Sequence, residues 1–211
     1  MPSPTKRVHF GDCIFDLTDD VYEPAEDSFL FAENLKIAAG EVVLDLGTGS
    51  GILAVLVAKK DNHVVAVDLN PYAVRCAKAN AKLNSVEDRI DFLQGDLFSV
   101  FQSGAIFDVV LFNAPYLPSE EGEAASWIGR SWAGGADGRQ VVDRFIAEVS
   151  SYLKPAGKVL LMQSTLTGVQ ETIRAFAIQG FEAHVMAEQK LPFFETLTLI
   201  EAKRLTHKEM L

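Results

Sequence analysis

The first chemistry in the chain gathers around three closely spaced glycines. Val42-Val43-Leu44-Asp45-Leu46, a β-branched run, opens into Gly47-Thr48-Gly49-Ser50-Gly51 and then into the apolar run Ile52 to Ala58. Glycines in such a turn let the backbone bend tightly and approach a ligand closely. A dinucleotide-binding turn spaces its glycines at one, three and six. Here they fall at one, three and five, and Ile52 takes position six. Asp45 stands two residues before the first glycine, where its carboxylate would repel a pyrophosphate and attract an ammonium group. S-adenosyl-L-methionine (AdoMet) carries that ammonium and no phosphate, so the charge pattern selects it over a nicotinamide dinucleotide. Asp68 ends the next β-branched run, seventeen residues after Gly51, near the spacing at which a carboxylate meets ribose hydroxyls. After the third run comes Gln94-Gly95-Asp96-Leu97. A carboxylate there can accept from the adenine amine while a backbone N–H serves a ring nitrogen.

A second constellation follows the fourth run, in Asp108-Val109-Val110-Leu111-Phe112-Asn113-Ala114-Pro115-Tyr116. Asn113, Ala114, Pro115 and Tyr116 resemble the Asn-Pro-Pro-Tyr motif of amino-methyltransferases, which act on an sp² nitrogen of adenine, cytosine or glutamine. Such a nitrogen is a poor nucleophile because its lone pair is delocalised. The Asn113 side-chain oxygen and the Ala114 carbonyl can accept its two hydrogens and draw it toward tetrahedral geometry as the methyl group arrives in line. The Tyr116 ring can pack on the planar amide or base. Ala114 replaces the first proline, but the working group there is a backbone carbonyl. Its neighbour Pro115 biases Ala114 toward the extended region in any case. Neither a strong base nor a metal is required.

These residues need a scaffold that brings strand ends together. β-Branched runs at Val42–Leu46, His63–Val67, Ile90–Leu93, Val109–Phe112 and Lys158–Met162 alternate with helical patterns. The helices are expected at Ala25–Ala38, Tyr72–Leu83 behind Pro71, Val141–Leu153 and Val169–Ile178, the last capped by Gly180. Strands alternating with helices give a parallel sheet with crossovers. Phe181–Lys190 and Glu195–Ala202 are then consecutive strand-like runs with no room for a helix between them. They require an antiparallel pair. The expected fold is α/β: a doubly wound, mostly parallel seven-stranded sheet ending in a C-terminal antiparallel hairpin, as in Rossmann-like class I methyltransferases.

At 211 residues, 48% hydrophobic and 23% charged, the chain has the composition of one globular domain. Residues 1–211 are expected to form it, with 1–24 as an N-terminal extension. A net charge of −10 speaks against a surface that grips nucleic acid. Two cysteines and four scattered histidines give neither a disulfide framework nor a metal site. Met1–Phe10 lacks the apolar core of a signal peptide, and no apolar run is long enough to span a bilayer. A cytoplasmic protein without a membrane partner is the expectation.

Two further stretches narrow the class. Val21-Tyr22-Glu23-Pro24-Ala25-Glu26-Asp27-Ser28 opens the first helix, and Gly134-Gly135-Ala136-Asp137-Gly138-Arg139 follows a loop holding Trp127 and Trp132. With the motifs above, they resemble the HemK-type protein-glutamine methyltransferases. The closer likeness is to the short archaeal and eukaryotic branch, which lacks the additional N-terminal helical domain of bacterial relatives; only 44 residues precede Asp45 here. The resemblance implies AdoMet as cofactor and the glutamine of a Gly-Gly-Gln motif in a class I release factor as substrate. It also implies an AdoMet pocket lined by Ser28, Asp45, Gly47, Asp68, Asp96 and Leu97, with Asn113 holding the substrate amide. A small zinc-binding activator is the partner it implies. Other readings are an adenine or lysine methyltransferase and a non-catalytic AdoMet-binding module. Trp127, Trp132 and residues 134–139 are expected to form a mobile lid over the substrate.

Overall fold

The computed structural model describes residues 5–206 except 105 and 121. His207 and the first residues of the expected N-terminal extension lie outside the described residues. Seven strands form the central sheet: β3 (Val42–Leu46), β4 (His63–Asp68), β5 (Ile90–Gln94), β6 (Phe107–Asn113), β7 (Leu153–Ser164), β8 (Phe181–Lys190) and β9 (Thr196–Arg204). Their order is β5-β4-β3-β6-β7-β9-β8. β3 through β7 pair in parallel, and β9 runs antiparallel to both β7 and β8. The doubly wound sheet with its terminal antiparallel strands is the architecture expected from the sequence.

Because successive side chains point to opposite faces, each buried strand feeds two apolar layers. Val43, Val109, Leu111, Leu160 and Met162 pack with α1 (Glu26–Glu33) and α2 (Ile52–Ala58) on one face. Leu44, Leu46, Val110, Phe112 and Leu161 pack with α5 (Gln140–Val149) and Phe176 of α6 (Val169–Ile178) on the other. α3 (Pro71–Leu83) completes the first layer, its N-terminus capped by the Asn70 side chain accepting from the Tyr72 N–H. A short α4 (Trp127–Arg130) sits in the loop after β6.

Two helices are shorter than their periodicity predicts. α1 stops at Glu33 because the Asn34 side chain donates to the Leu30 carbonyl, competing with continuation of the helix. The buried Leu35 then packs from the chain beyond the helix. α5 ends at Val149, so Leu153 opens β7 in place of closing a helix.

The sequence reading did not include the N-terminal hairpin, β1 (Lys6–Phe10) and β2 (Cys13–Leu17). The exposed edge of β2 is paired by side chains of α3 rather than by another strand. Asn80 accepts from the Asp16 N–H at 2.8 Å and donates to the Asp16 carbonyl at 3.1 Å. One turn later, Asn84 does the same for Ile14, at 3.0 and 2.7 Å. The fully buried Asn80 also donates to the Ser50 carbonyl in the glycine turn at 2.9 Å. Hairpin, helix and glycine turn thus meet at one amide. Truncating Asn80 to Ala strands these buried backbone groups, so stability should fall by roughly 2–4 kcal/mol in urea unfolding. Asn84→Ala, nearer the surface, should cost about half as much.

Candidate active site

The ends of β3, β4, β5 and β6 open onto one cavity of about 550 Å³, at the carboxyl edge where doubly wound sheets bind ligands. Ser28, Asp45, Gly47, Asp68, Asp96, Leu97, Asn113, Ala114, Pro115 and Tyr116 all line it. Residues spread over 89 positions of sequence therefore share one wall.

The glycine turn takes its shape from backbone conformations that favour glycine. Gly47, Gly49 and Gly51 have φ of +63°, +56° and +81°. At Gly51 a side chain would also meet the Ala77 Cβ at 2.9 Å, so the turn and α3 can close together only over glycine. Asp68 fastens the turn, accepting from the Gly49 N–H at 2.9 Å and the Asn70 N–H at 2.8 Å. Burial holds its carboxyl above the usual carboxylate range.

Asp45 is more deeply placed, 1% exposed. Its Oδ2 accepts from the Thr48 hydroxyl at 2.6 Å, while Oδ1 is buried without a partner. Burial pushes its carboxyl up to about 7; the Thr48 hydrogen bond opposes the shift and the nearby Asp68 adds to it. A buried, half-satisfied acid of this kind fits a cationic ligand group. Asp96 is less deeply placed than Asp45. It sits at the rim, half-exposed, with Oδ2 accepting from Arg144 at 2.8 Å. Its own N–H donates to Ser99 Oγ at 3.1 Å. Leu97 adopts φ +47° there.

The far side of the cavity is organised by a residue that the sequence reading gave no site role, Asp27. Asn113 Nδ2 donates to Asp27 Oδ2 at 3.1 Å and to Ser28 Oγ at 3.4 Å, and the Tyr116 hydroxyl donates to Asp27 Oδ2 at 3.4 Å. Asp27 Oδ1 accepts from the Ser28 N–H and hydroxyl and from the Tyr22 hydroxyl. Burial first, and the Asp27 charge second, hold both phenols protonated far above their ordinary range. With both donors of Asn113 engaged, its Oδ1 is left buried and unpartnered. Asp27 escaped notice because acids in a helix's first turn are usually explained by the helix dipole. Its place inside Tyr22–Ser28 was the available signal.

Trp127, Arg130, Ser131 and Trp132 form the cavity's outer wall, and Arg130 stacks on Trp127 at 4.9 Å. The glycine-rich segment behind them is knitted into the fold. The Gly134 N–H donates to the Leu117 carbonyl, the Leu117 N–H donates to the Trp132 carbonyl, and Arg139 donates to the Thr167 and Gly168 carbonyls. Gly138, at φ +72°, packs so closely on the Tyr116 carbonyl that a Cβ would lie 2.3 Å from it. Residues 134–139 thus brace the Pro115–Tyr116 turn. Among the described residues no cluster could hold a metal ion, and no helix is long and apolar enough to cross a membrane.

A doubly wound sheet with terminal antiparallel strands and an acid at or just past the carboxyl end of each of its first three strands defines a class I AdoMet-dependent methyltransferase. The family model for the methyltransferase small domain matches residues 24–128. A Methanocaldococcus jannaschii protein, provisionally named a protein N5-glutamine methyltransferase, is 47% identical over 191 residues, covering 90% of this chain and 94% of that protein. Human methyltransferase HEMK2 is 32% identical over 175 residues, 77% of this chain and 80% of its own length. Among solved structures, the E. cuniculi Mtq2–Trm112 complex, described as responsible for methylating the eRF1 termination factor, supplies a chain with TM-score 0.70 and 26% identity. That match covers 88% of this chain and 99% of that one. The chain belongs to the HemK-type protein-glutamine methyltransferases.

The buried carboxyl of Asp45 gives a direct test. In the unliganded protein it should titrate near pH 7, against about 3.9 in the unfolded chain. The folded state then holds an additional proton between those values, so this group's contribution to stability is lost as pH rises through 7. Carboxyl NMR should find the midpoint there. The unfolding midpoint should drop from pH 5 to 8 by an amount that Asp45→Asn removes.

Proposed function

We propose that the protein transfers a methyl group from AdoMet to the side-chain amide nitrogen of the glutamine in the Gly-Gly-Gln motif of a class I translation release factor. The observation that carries this reading is the unpartnered, buried Asn113 Oδ1 at the cavity wall. An acceptor held there with its own donors already spent suits a substrate that brings N–H groups. The names of the relatives support the glutamine and the release factor.

AdoMet, when bound, supplies a methyl group made electrophilic by its positively charged sulfur. The chain's residues position both partners. Asp45 would hold the ammonium group, Asp68 the ribose hydroxyls, and Asp96 with the Leu97 N–H the adenine, while Ser28 and Gly47 would complete the pocket. Asn113 Oδ1 and the Ala114 carbonyl accept the two N–H bonds of the glutamine amide. That withdraws the nitrogen lone pair from resonance and aims it at the methyl carbon. Pro115 fixes the turn, and the Tyr116 ring supports the amide plane. Gaining a methyl group would leave the amide nitrogen with one proton too many. Asn113 Oδ1 holds that hydrogen-bonded proton until it leaves to water.

A small zinc-binding activator belongs to the proposal, and the likeness to a chain solved together with Trm112 supports a small partner. The site works in the cytoplasm, within a single domain spanning 1–211 to which 1–24 is an extension. The net charge of −10 supports a protein substrate over nucleic acid.

Asn113→Ala removes the acceptor and leaves the AdoMet wall in place. Calorimetry should find AdoMet affinity little changed, while single-turnover methylation falls by roughly 10²–10³, the scale of one lost preorganised contact. Ala114→Pro keeps the carbonyl and should retain a rate within a few-fold of the parent.

A further inference from the structure

The loop between β8 and β9 carries two phenylalanines that nothing in the catalytic account uses. Phe193 and Phe194 are 95% and 103% exposed, the most exposed large apolar side chains among the described residues. Both backbones are left-handed, with φ of +63° and +65°, a conformation that bulky L residues rarely adopt. Here the strain is not offset by burial of either ring. Strained, exposed residues that persist without a folding reason mark sites of interaction.

The base of the loop is firmly set. Leu191 donates to the Glu195 carbonyl at 2.8 Å, and the Thr196 N–H donates to Thr165 Oγ1 at 3.0 Å. Leu191 also packs on the apolar cluster that contains Tyr116 and Leu197. β8 runs parallel to β7, so its end at Lys190 lies on the same sheet edge as Asn113. Glu195 is near enough for its charge to act on the Tyr116 phenol. The aromatic tip therefore stands beside the cavity mouth, yet neither phenylalanine lines the cavity. A cofactor inside would not meet them; a macromolecule presenting a side chain to Asn113 would.

We infer that Phe193 and Phe194 form a docking tip for the protein substrate, engaging an apolar patch with basic neighbours beside its glutamine-bearing loop. The basic character follows from charge complementarity. Glu195 stands next to the tip, Glu26 at the start of the neighbouring α1 lines a shallow hollow whose Glu23 is already paired with Lys6, and the chain as a whole carries −10. The inference rests on the proposed function, since it takes the substrate to be the release factor.

The test is Phe193→Asn with Phe194→Asn in the full chain, purified with any protein that accompanies it. Asparagine tolerates the left-handed backbone, so the loop keeps its shape while the aromatic area is lost. For the intact release factor, kcat/KM should fall roughly tenfold or more, through KM, with kcat at saturation and AdoMet affinity held. Phe193→Tyr with Phe194→Tyr should restore it. A kcat/KM within about twofold of the parent, or a loss confined to kcat, would overturn the docking role. A change in self-association with unchanged transfer would reassign the tip to a second copy and overturn it too. A parent protein inactive on the release factor would instead refute the proposed function, and this inference with it.

Discussion

One buried carboxylate sets the direction of an amide, and the substrate side of the pocket depends on it. Asparagine can present either an acceptor or two donors, and a glutamine amide nitrogen needs acceptors. Asp27 occupies the donor end of Asn113, and Ser28 takes part in the same clamp. The oxygen is thereby left buried without a partner, on a residue that lines the cavity. An orphaned buried acceptor costs about 1–3 kcal/mol. That cost is compensated when a substrate N–H arrives, so the site is built ahead of the ligand and little needs to reorganise at the moment of transfer. Tyr22 and Tyr116 hold Asp27 from two sides, and residues 134–139 brace the turn that carries Tyr116.

The cofactor side follows the same logic with the opposite sign of charge. Asp45 is buried with one oxygen free and a carboxyl poised near neutrality. Asp68 spends hydrogen bonds on the glycine turn, so the turn has its shape before a ligand enters. A cation entering beside Asp45 would stabilise its ionised form and release a proton near pH 7. The residues that carry the buried acid and the orphaned amide oxygen line one cavity. In the proposed reaction it receives a positive group beside Asp45 and N–H donors beside Asn113.

Much of this was legible in the sequence because strand ends carry the chemistry. Asp45, Asp68, Asp96 and Asn113 each lie at or just past the carboxyl end of a β-branched run, and parallel pairing alone brings those ends to one edge. The terminal hairpin was equally plain, since no helix fits between residues 190 and 195. Interactions formed by tertiary packing were not legible. Asp27 looks like an ordinary helix-start acid until Asn113, 86 residues away, is set against it. Asn80 and Asn84 look like solvated helix positions until β2 is laid along them. The β1–β2 hairpin did carry a local signal, with Gly11-Asp12 between alternating runs, and the structure adds it to the expected fold.

The central claim is that Asp27 orients Asn113, and Asp27→Ala tests it most directly in single-turnover methylation under saturating AdoMet. With the clamp removed, the Asn113 amide is free to turn its donors toward the substrate. Transfer should then slow by roughly tenfold to a hundredfold while AdoMet affinity stays near that of the parent. A parental transfer rate in a folded Asp27→Ala protein would contradict the account.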